Sequence, residues 1–359
     1  MWKSDTKQLA AKVTKHKTIR LFPELLGFVA GKVRPPIAIV LGSPNEVADV
    51  YVELGNIDTT CYQMDLYQAE RLQEALTERN LQAKVITAPD LWDLPGPFQT
   101  VIYPVPEGGE RGLKIDMIEQ AYHILAPAGH LIVLSPHEKD QFFPLALKKV
   151  YKRVHAPQAG EGALFVCHRQ EERRRRRHEV TFQVKSSFGH SLRFLSRPGV
   201  FSYGRFDDGA RALVETMDIK PGDRVLDLGC GCGTNGIFAG LASGPDGFIV
   251  FVDSNVRAVA LADFNARPQG LTDFQTIASS DVSGLPEKKF DVVLANPPYY
   301  AQQAIARLFI ERGHDCLRPD GRLFLVTKQA DQVGPMVAEI FGPAEVVERR
   351  GYIVLCARR

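Results

Sequence analysis

Apolar residues along the chain fall into two alternating patterns. Short unbroken apolar runs at Ile37 to Leu41, Val85 to Thr87, Thr100 to Tyr103 and His130 to Leu134 predict buried strands. Between them, Gln68 to Glu78 and Ile115 to Ile124 predict helices. The second half continues the alternation. Apolar strands are predicted before Asp227, at Phe248 to Asp253, from Phe290, and at Arg322 to Lys328. A last antiparallel hairpin is predicted from Ala344 to Arg350 and Tyr352 to Ala357, turning about Gly351. Val180 to Arg205 carries alternating residues and a Pro198-Gly199 turn, and reads as strands leading into the second half. Strand-helix alternation of this kind predicts an α/β fold, here with two mostly parallel sheets wrapped by helices.

The second half repeats part of the first at an offset of 192. Phe98-Gln-Thr-Val-Ile-Tyr-Pro-Val-Pro lies over Phe290-Asp-Val-Val-Leu-Ala-Asn-Pro-Pro, and Leu125-Ala-Pro-Ala-Gly-His-Leu over Leu317-Arg-Pro-Asp-Gly-Arg-Leu, with no gap between the two blocks. The first half therefore reads as a degenerate copy of the second. His314 is set against His123 of that copy, which assigns it a structural role in a helix.

A length of 359 residues exceeds that of one ordinary domain, and 45% hydrophobic with 24% charged residues is a globular balance. The expected division is a basic extension at 1–36, a first domain at 37–169, a charged linker at 170–179 and a second domain at 180–359. No apolar run approaches the roughly 20 residues of a membrane span, and the N-terminus has no secretory pattern. A protein of the cytoplasm, without membrane partners and monomeric, is the expectation. The six cysteines have no CxxC spacing and predict neither a metal site nor disulfides. A net charge of +2 identifies no partner, but Lys3, Lys7, Lys12, Lys15, Lys17 and Arg20, and the run Arg173 to Arg177, are local concentrations suited to phosphate contacts.

Candidate chemistry concentrates in two stretches of the second half. In Arg224-Val-Leu-Asp-Leu-Gly-Cys-Gly-Cys-Gly-Thr-Asn-Gly236, a strand meets glycines at Gly229, Gly231 and Gly233 and then a helix. Glycine permits positive φ and lets a ligand approach the backbone. The stretch also satisfies the dinucleotide pattern GxGxxG, so a nicotinamide cofactor is an alternative. S-adenosylmethionine is favoured because Asp227, ahead of the glycines, can neutralise an ammonium and would not serve a pyrophosphate. Asp253, ending the next strand, is placed for the ribose hydroxyls. Ser254 is the expected N-cap of the following helix, and Asp281 is a candidate for the adenine amino group. Cys230 and Cys232 are read as small packing residues.

The second stretch, Phe290 to Tyr299, runs from a strand into Asn296-Pro297-Pro298-Tyr299. An exocyclic amine on a base is a weak nucleophile because its lone pair is delocalised. Accepting its two hydrogens on the Asn296 side-chain oxygen and the Pro297 carbonyl would localise that lone pair and aim it at a sulfonium methyl. Two prolines fix the loop and donate nothing. Tyr299 can stack on an extruded base, worth about 1 to 3 kcal/mol.

The glycine loop with Asn296-Pro-Pro-Tyr resembles the class I amino-methyltransferases over roughly Val225 to Arg359. The segment Leu195-Ser-Arg-Pro-Gly-Val-Phe-Ser-Tyr-Gly-Arg-Phe-Asp-Asp-Gly-Ala-Arg-Ala-Leu213 is similar to the lead-in of the rRNA guanine-N2 methyltransferases, whose N-terminal domain is a degenerate methyltransferase-like copy. That resemblance implies two tandem Rossmann-like class I methyltransferase domains, the C-terminal one with a seven-stranded sheet. It implies S-adenosylmethionine as cofactor, ribosomal RNA or a ribosomal subunit as partner, and Phe201 to Gly209 lining the pocket. It gives the first domain a part in RNA binding or folding without catalysis. Tyr299 departs from the phenylalanine more usual in the rRNA enzymes, and tyrosine is common where adenine or glutamine is methylated. Transfer RNA, DNA adenine and protein glutamine therefore stay open as acceptors, as does a non-catalytic assembly factor.

Overall fold

The computed structural model describes residues 21–55, 57–185, 191–285, 289–297 and 302–359. The chain divides into two compact units between His178 and Glu179.

In the first unit, residues 21–27 are helical (α1). There follow β1 (Ile37–Val40), α2 (Pro44–Glu53), β2 (Thr59–Gln63), α3 (Leu66–Glu78), β3 (Lys84–Thr87), β4 (Phe98–Pro104), α4 (Arg111–Ile124), β5 (Leu125–Ser135), α5 (Phe142–Val150), β6 (Val154–His155) and β7 (Ala163–His168). They form a seven-stranded sheet in the order β3-β2-β1-β4-β5-β7-β6. The second unit opens with a hairpin of β8 (Val180–Lys185) and β9 (Ser191–Ser196). It continues through α6 (Asp208–Thr216), β10 (Arg224–Leu228), α7 (Thr234–Ser243), β11 (Phe248–Asp253), α8 (Val256–Ala266), β12 (Phe274–Ala278) and β13 (Phe290–Ala295). It closes with α9 (Gln302–Cys316), β14 (Leu317–Thr327), α10 (Ala330–Phe341), β15 (Glu345–Arg349) and β16 (Tyr352–Arg358). Its sheet order, β12-β11-β10-β13-β14-β16-β15, repeats that of the first.

Each sheet is buried on both faces, because successive strand residues point to opposite sides. In β13, Val292 and Leu294 join one core and Val293 and Ala295 the other. In β4, Val101 and Tyr103 enter one core and Ile102 the other.

The repeat extends to irregularities. Thr100 pairs with His130 after a register shift, and Val292 pairs with Arg322 after an equivalent shift, both pairs at the offset of 192. Ala128 and Asp320, at that same offset, both take a left-handed φ, 60° and 64°. The register also corrects a pairing. Leu125 lies over Leu317, so Tyr122, and not His123, is the counterpart of His314. His123 is half-buried against Trp92 and Tyr122, and burial pushes its pKa down to about 4.

Three further expectations change. Residues 21–36 are no extension: Phe22, Leu25, Leu26 and Val29 are buried in the first unit's core. The lysines upstream and Arg20 lie outside the described residues. Val85 to Thr87, expected buried, form a half-covered edge strand, since β3 pairs on one side only. The charged segment after residue 169 lies along the first unit. Tyr122 Oη donates to the Glu171 carbonyl at 2.5 Å, Arg173 donates to the Val150 carbonyl at 2.6 Å, and the Arg175 and Arg177 guanidinium groups lie 5.5 and 5.8 Å from the Trp92 ring centroid. Among the described residues, no helix is long and apolar enough to cross a membrane.

Candidate active site

The site forms at the carboxyl ends of β10, β11 and β13, neighbours in the second sheet. Leu228 pairs with Ala295, so the glycine loop and Asn296 begin on adjacent strands, and neighbouring strands lie about 5 Å apart.

Between β10 and α7, Gly229, Gly231 and Gly233 have φ of 69°, 55° and 87°. A Cβ on Gly233 would meet Ala262 Cα at 3.1 Å, whereas one on Gly231 would meet nothing within 4 Å. Gly233 is thus required by packing, and Gly231 leaves its backbone open to approach. The loop is tied to β11, where the Gly229 and Cys230 N–H groups donate to the Val252 carbonyl at 2.9 and 3.0 Å. Both loop cysteines are buried, and burial pushes the Cys232 thiol up to about 12 and the Cys230 thiol well above its ordinary value, which suits packing and not nucleophilic chemistry.

Asp227 lies beneath the loop and is fully buried. Its Oδ2 accepts from Gly236 N–H at 2.8 Å, while Oδ1 is buried without a hydrogen-bond partner. Burial raises its pKa to about 7; the Gly236 N–H opposes this shift and the Asp253 charge adds to it. A buried acceptor without a donor costs about 1 to 3 kcal/mol, so Asp227 keeps an unmet acceptor beneath the loop. Asp253 accepts on Oδ2 from Gly231 N–H and on Oδ1 from Asn255 N–H, each at 2.9 Å. It therefore braces the loop as well as standing at its rim. The N-cap of α8 is Asn255, in place of the expected Ser254, because the helix starts at Val256; its Oδ1 accepts from Arg257 N–H at 3.0 Å and Ala258 N–H at 3.4 Å. Asp281 is exposed and closes its own turn, accepting from Ser283 N–H at 2.9 Å and Ser279 Oγ at 3.2 Å, and hydrogen bonding from the Ser283 side chain first, then its N–H and Ser279, holds its carboxyl below the usual range.

Asn296 is half-buried, and its Nδ2 donates to Asp207 Oδ2 at 3.4 Å. Pro297 beside it is buried; Pro298 and Tyr299 lie outside the described residues. Phe201 is 41% exposed in the turn after Gly199. The structure thus joins Asp227, Asp253 and the glycines into one hydrogen-bonded loop with Asn296 on the adjacent strand end, while Asp281 bonds within its own turn and Phe201 is exposed.

Several organising residues were not anticipated. Asn265 bridges the lead-in segment and the glycine loop: Oδ1 accepts from Leu195 N–H at 2.8 Å, and Nδ2 donates to the Leu195 and Cys232 carbonyls at 2.9 Å each. Arg257, fully buried, donates to the Pro198 carbonyl at 2.6 Å, and Asn255 Nδ2 to that of Gly199 at 2.8 Å. Asp207 caps α6, accepting from Ala210 N–H at 3.0 Å. Only this last had a visible signal, an acid just before the apolar start of a helix.

Residues 191–356 match the methyltransferase small domain family. This small domain spans β9 to β16 and holds the whole site. The chain is 32% identical over 174 residues to a ribosomal RNA small subunit methyltransferase C of Pseudomonas aeruginosa, covering 47% of this chain and 51% of that protein. It is 33% identical over 157 residues to a ribosomal RNA large subunit methyltransferase G of Streptomyces avermitilis, covering 42% and 40%. The chain spans about half the length of the curated relatives it matches. Among solved structures, a T. thermophilus 16S rRNA N2 methyltransferase in complex with AdoMet and guanosine superposes with a TM-score of 0.74 at 22% identity, over 94% of this chain and 91% of that one. The tandem Rossmann-like fold, two seven-stranded sheets of one topology, is therefore shared along nearly the whole chain.

Proposed function

We propose that the small domain transfers a methyl group from S-adenosylmethionine to the exocyclic N2 amine of a guanine in ribosomal RNA. The observation that carries this reading is the pairing of Leu228 with Ala295, which sets the glycine loop and Asn296 side by side. The residues fit the cofactor, since Asp227 holds a buried oxygen in want of a donor and Gly231 leaves its backbone open. Asp227 would take the ammonium, Asp253 the ribose hydroxyls and Asp281 the adenine amino group. Gly229, Gly231 and Gly233 would shape the cradle, with Phe201 along its wall. When bound, the cofactor supplies an electrophilic methyl on a sulfonium. Asn296 and the Pro297 carbonyl accept the two amine hydrogens and aim the lone pair, while Tyr299 stacks on the base. Positive charge moves from sulfur to nitrogen without building up, so in-line placement carries most of the rate.

The substrate is supported by the relatives, named for both ribosomal subunits, and by the T. thermophilus protein, which was solved with guanosine. On this reading the protein works in the cytoplasm on ribosomal RNA or an assembled subunit, and as a monomer. Asn296→Ala tests the acceptor role. Turnover should fall about 100-fold or more, the scale of a misplaced reacting group, with cofactor affinity within about twofold of wild type. Equal losses in binding and turnover would remove Asn296 from that role.

A further inference from the structure

We infer that Asp207 is a positioning residue: its carboxylate sets the orientation of the Asn296 amide, and so decides which end of that amide faces the acceptor amine. This rests on the proposed methyl transfer. A primary amide has a donor end and an acceptor end of nearly the same shape, and an ionised carboxylate can only accept. With Asp207 Oδ2 at 3.4 Å, the amide must turn its Nδ2 toward Asp207, leaving Oδ1 directed elsewhere. The opposite orientation would set oxygen against carboxylate and confront the substrate amine with an NH2 group, donor against donor. Asp207 can impose the choice because it is itself fixed. The same Oδ2 accepts from Ala210 N–H at 3.0 Å, so the carboxylate is locked as the N-cap of α6, whose first turn is buried at Gly209 and Ala210. The contact links residues 89 positions apart, joining the lead-in segment to the end of β13.

Two substitutions separate this role from helix capping. Asp207→Ser keeps a good N-cap but is too short to reach Asn296; Asp207→Asn keeps an oxygen acceptor of the same length. In full-length protein with labelled cofactor and the accepting RNA, Asp207→Ser should lower kcat roughly 10- to 100-fold, with KM for cofactor and Tm close to wild type. Asp207→Asn should recover most of that loss, and the exposed Asp246→Ser, in the turn before β11, should behave as wild type. Unchanged kcat in Asp207→Ser, or equal losses in both Asp207 variants accompanied by a fall in Tm, would overturn the assignment. Should wild type itself methylate no RNA, DNA or protein pool, the proposed function fails, and the orientation is still decided by NMR on 15N-asparagine-labelled protein. The Asn296 side-chain NH2 signal, identified by its loss in Asn296→Ala, should shift in Asp207→Ser and not in Asp246→Ser. A signal unmoved by Asp207→Ser contradicts the proposal.

Discussion

Asp227 is completely buried and keeps one oxygen without a donor, and its raised pKa has a determined sign in two measurements. Between its ordinary 3.8 and about 7, the folded protein holds a proton that the unfolded chain releases. Its contribution therefore lowers the stability of the ligand-free protein as pH rises through that window. A cationic ligand needs the ionised form, so affinity for S-adenosylmethionine should rise several-fold from pH 6 to 8 in calorimetry. Asp227→Asn should bind weakly and lose this dependence; a flat wild-type profile would contradict the ammonium pairing. Asp253→Ala removes the acceptor of the Gly231 and Asn255 N–H groups and, on the proposed reading, the ribose partner, and about tenfold weaker cofactor binding is expected from bonds worth about 1 kcal/mol each. Asp227, Asp253 and Asn296 were legible in the sequence because each belongs to a short motif at a strand end. The Asn265 bridge and the Asp207 contact with Asn296 were not, since the partners lie 70 and 89 residues away and only the folded chain brings them together.

At the level of elements, the arginine run changes meaning once placed. Arg173, Arg175 and Arg177 lie against Tyr122 and Trp92, and Arg173 and Arg177 reach the buried acids Glu119 and Asp90 at 3.6 and 3.9 Å. Arg174 to Arg177 are all exposed, so these ring and acid contacts, and not burial, set Arg175 and Arg177 apart from Arg174 and Arg176. Charge composition shows the run but not this alternation, which depends on an extended path across the first unit. Replacing Arg173, Arg175 and Arg177 with alanine should destabilise the first unit by about 2 kcal/mol, discounted for the arginines' partial exposure. Replacing Arg174 and Arg176 should change its unfolding by less than about 0.5 kcal/mol. Equal effects in a denaturant titration would remove the distinction. Asn265→Ala, which leaves the Leu195 and Cys232 carbonyls without their donor, should cost about 3 kcal/mol. Strongly apolar strands and the hairpin at Gly351 were legible. β2, Thr-Thr-Cys-Tyr-Gln, was not, because three of its five buried residues are polar.

Across the whole molecule, one topology occurs twice and carries the glycine loop once. By sheet register, Asp227 is matched in the first unit by Ile39 and Asp253 by Gln63. A Cβ on Gly42 would meet the Pro104 ring at 2.9 Å, and Ser43 with Glu46 caps α2 directly, so the space the glycines open in the second unit is filled in the first. Pro104 stands where Asn296 stands in the second unit. The offset of 192 exposed this relation because the blocks from β4 to β5 and from β13 to β14 have equal length. Upstream the loops differ, and only the paired strands reveal the match. One cofactor per chain should therefore bind in calorimetry; two would contradict an inactive first unit.

The central claim is tested most directly by incubating the protein with methyl-labelled S-adenosylmethionine and separate pools of unmodified ribosomal subunits, naked rRNA, tRNA, DNA and release-factor protein, then identifying the labelled product. The account predicts label in N2-methylguanosine from a ribosomal pool. Label in methyladenine or methylglutamine would contradict the substrate, and absence of label from every pool despite measurable cofactor binding would contradict the enzyme.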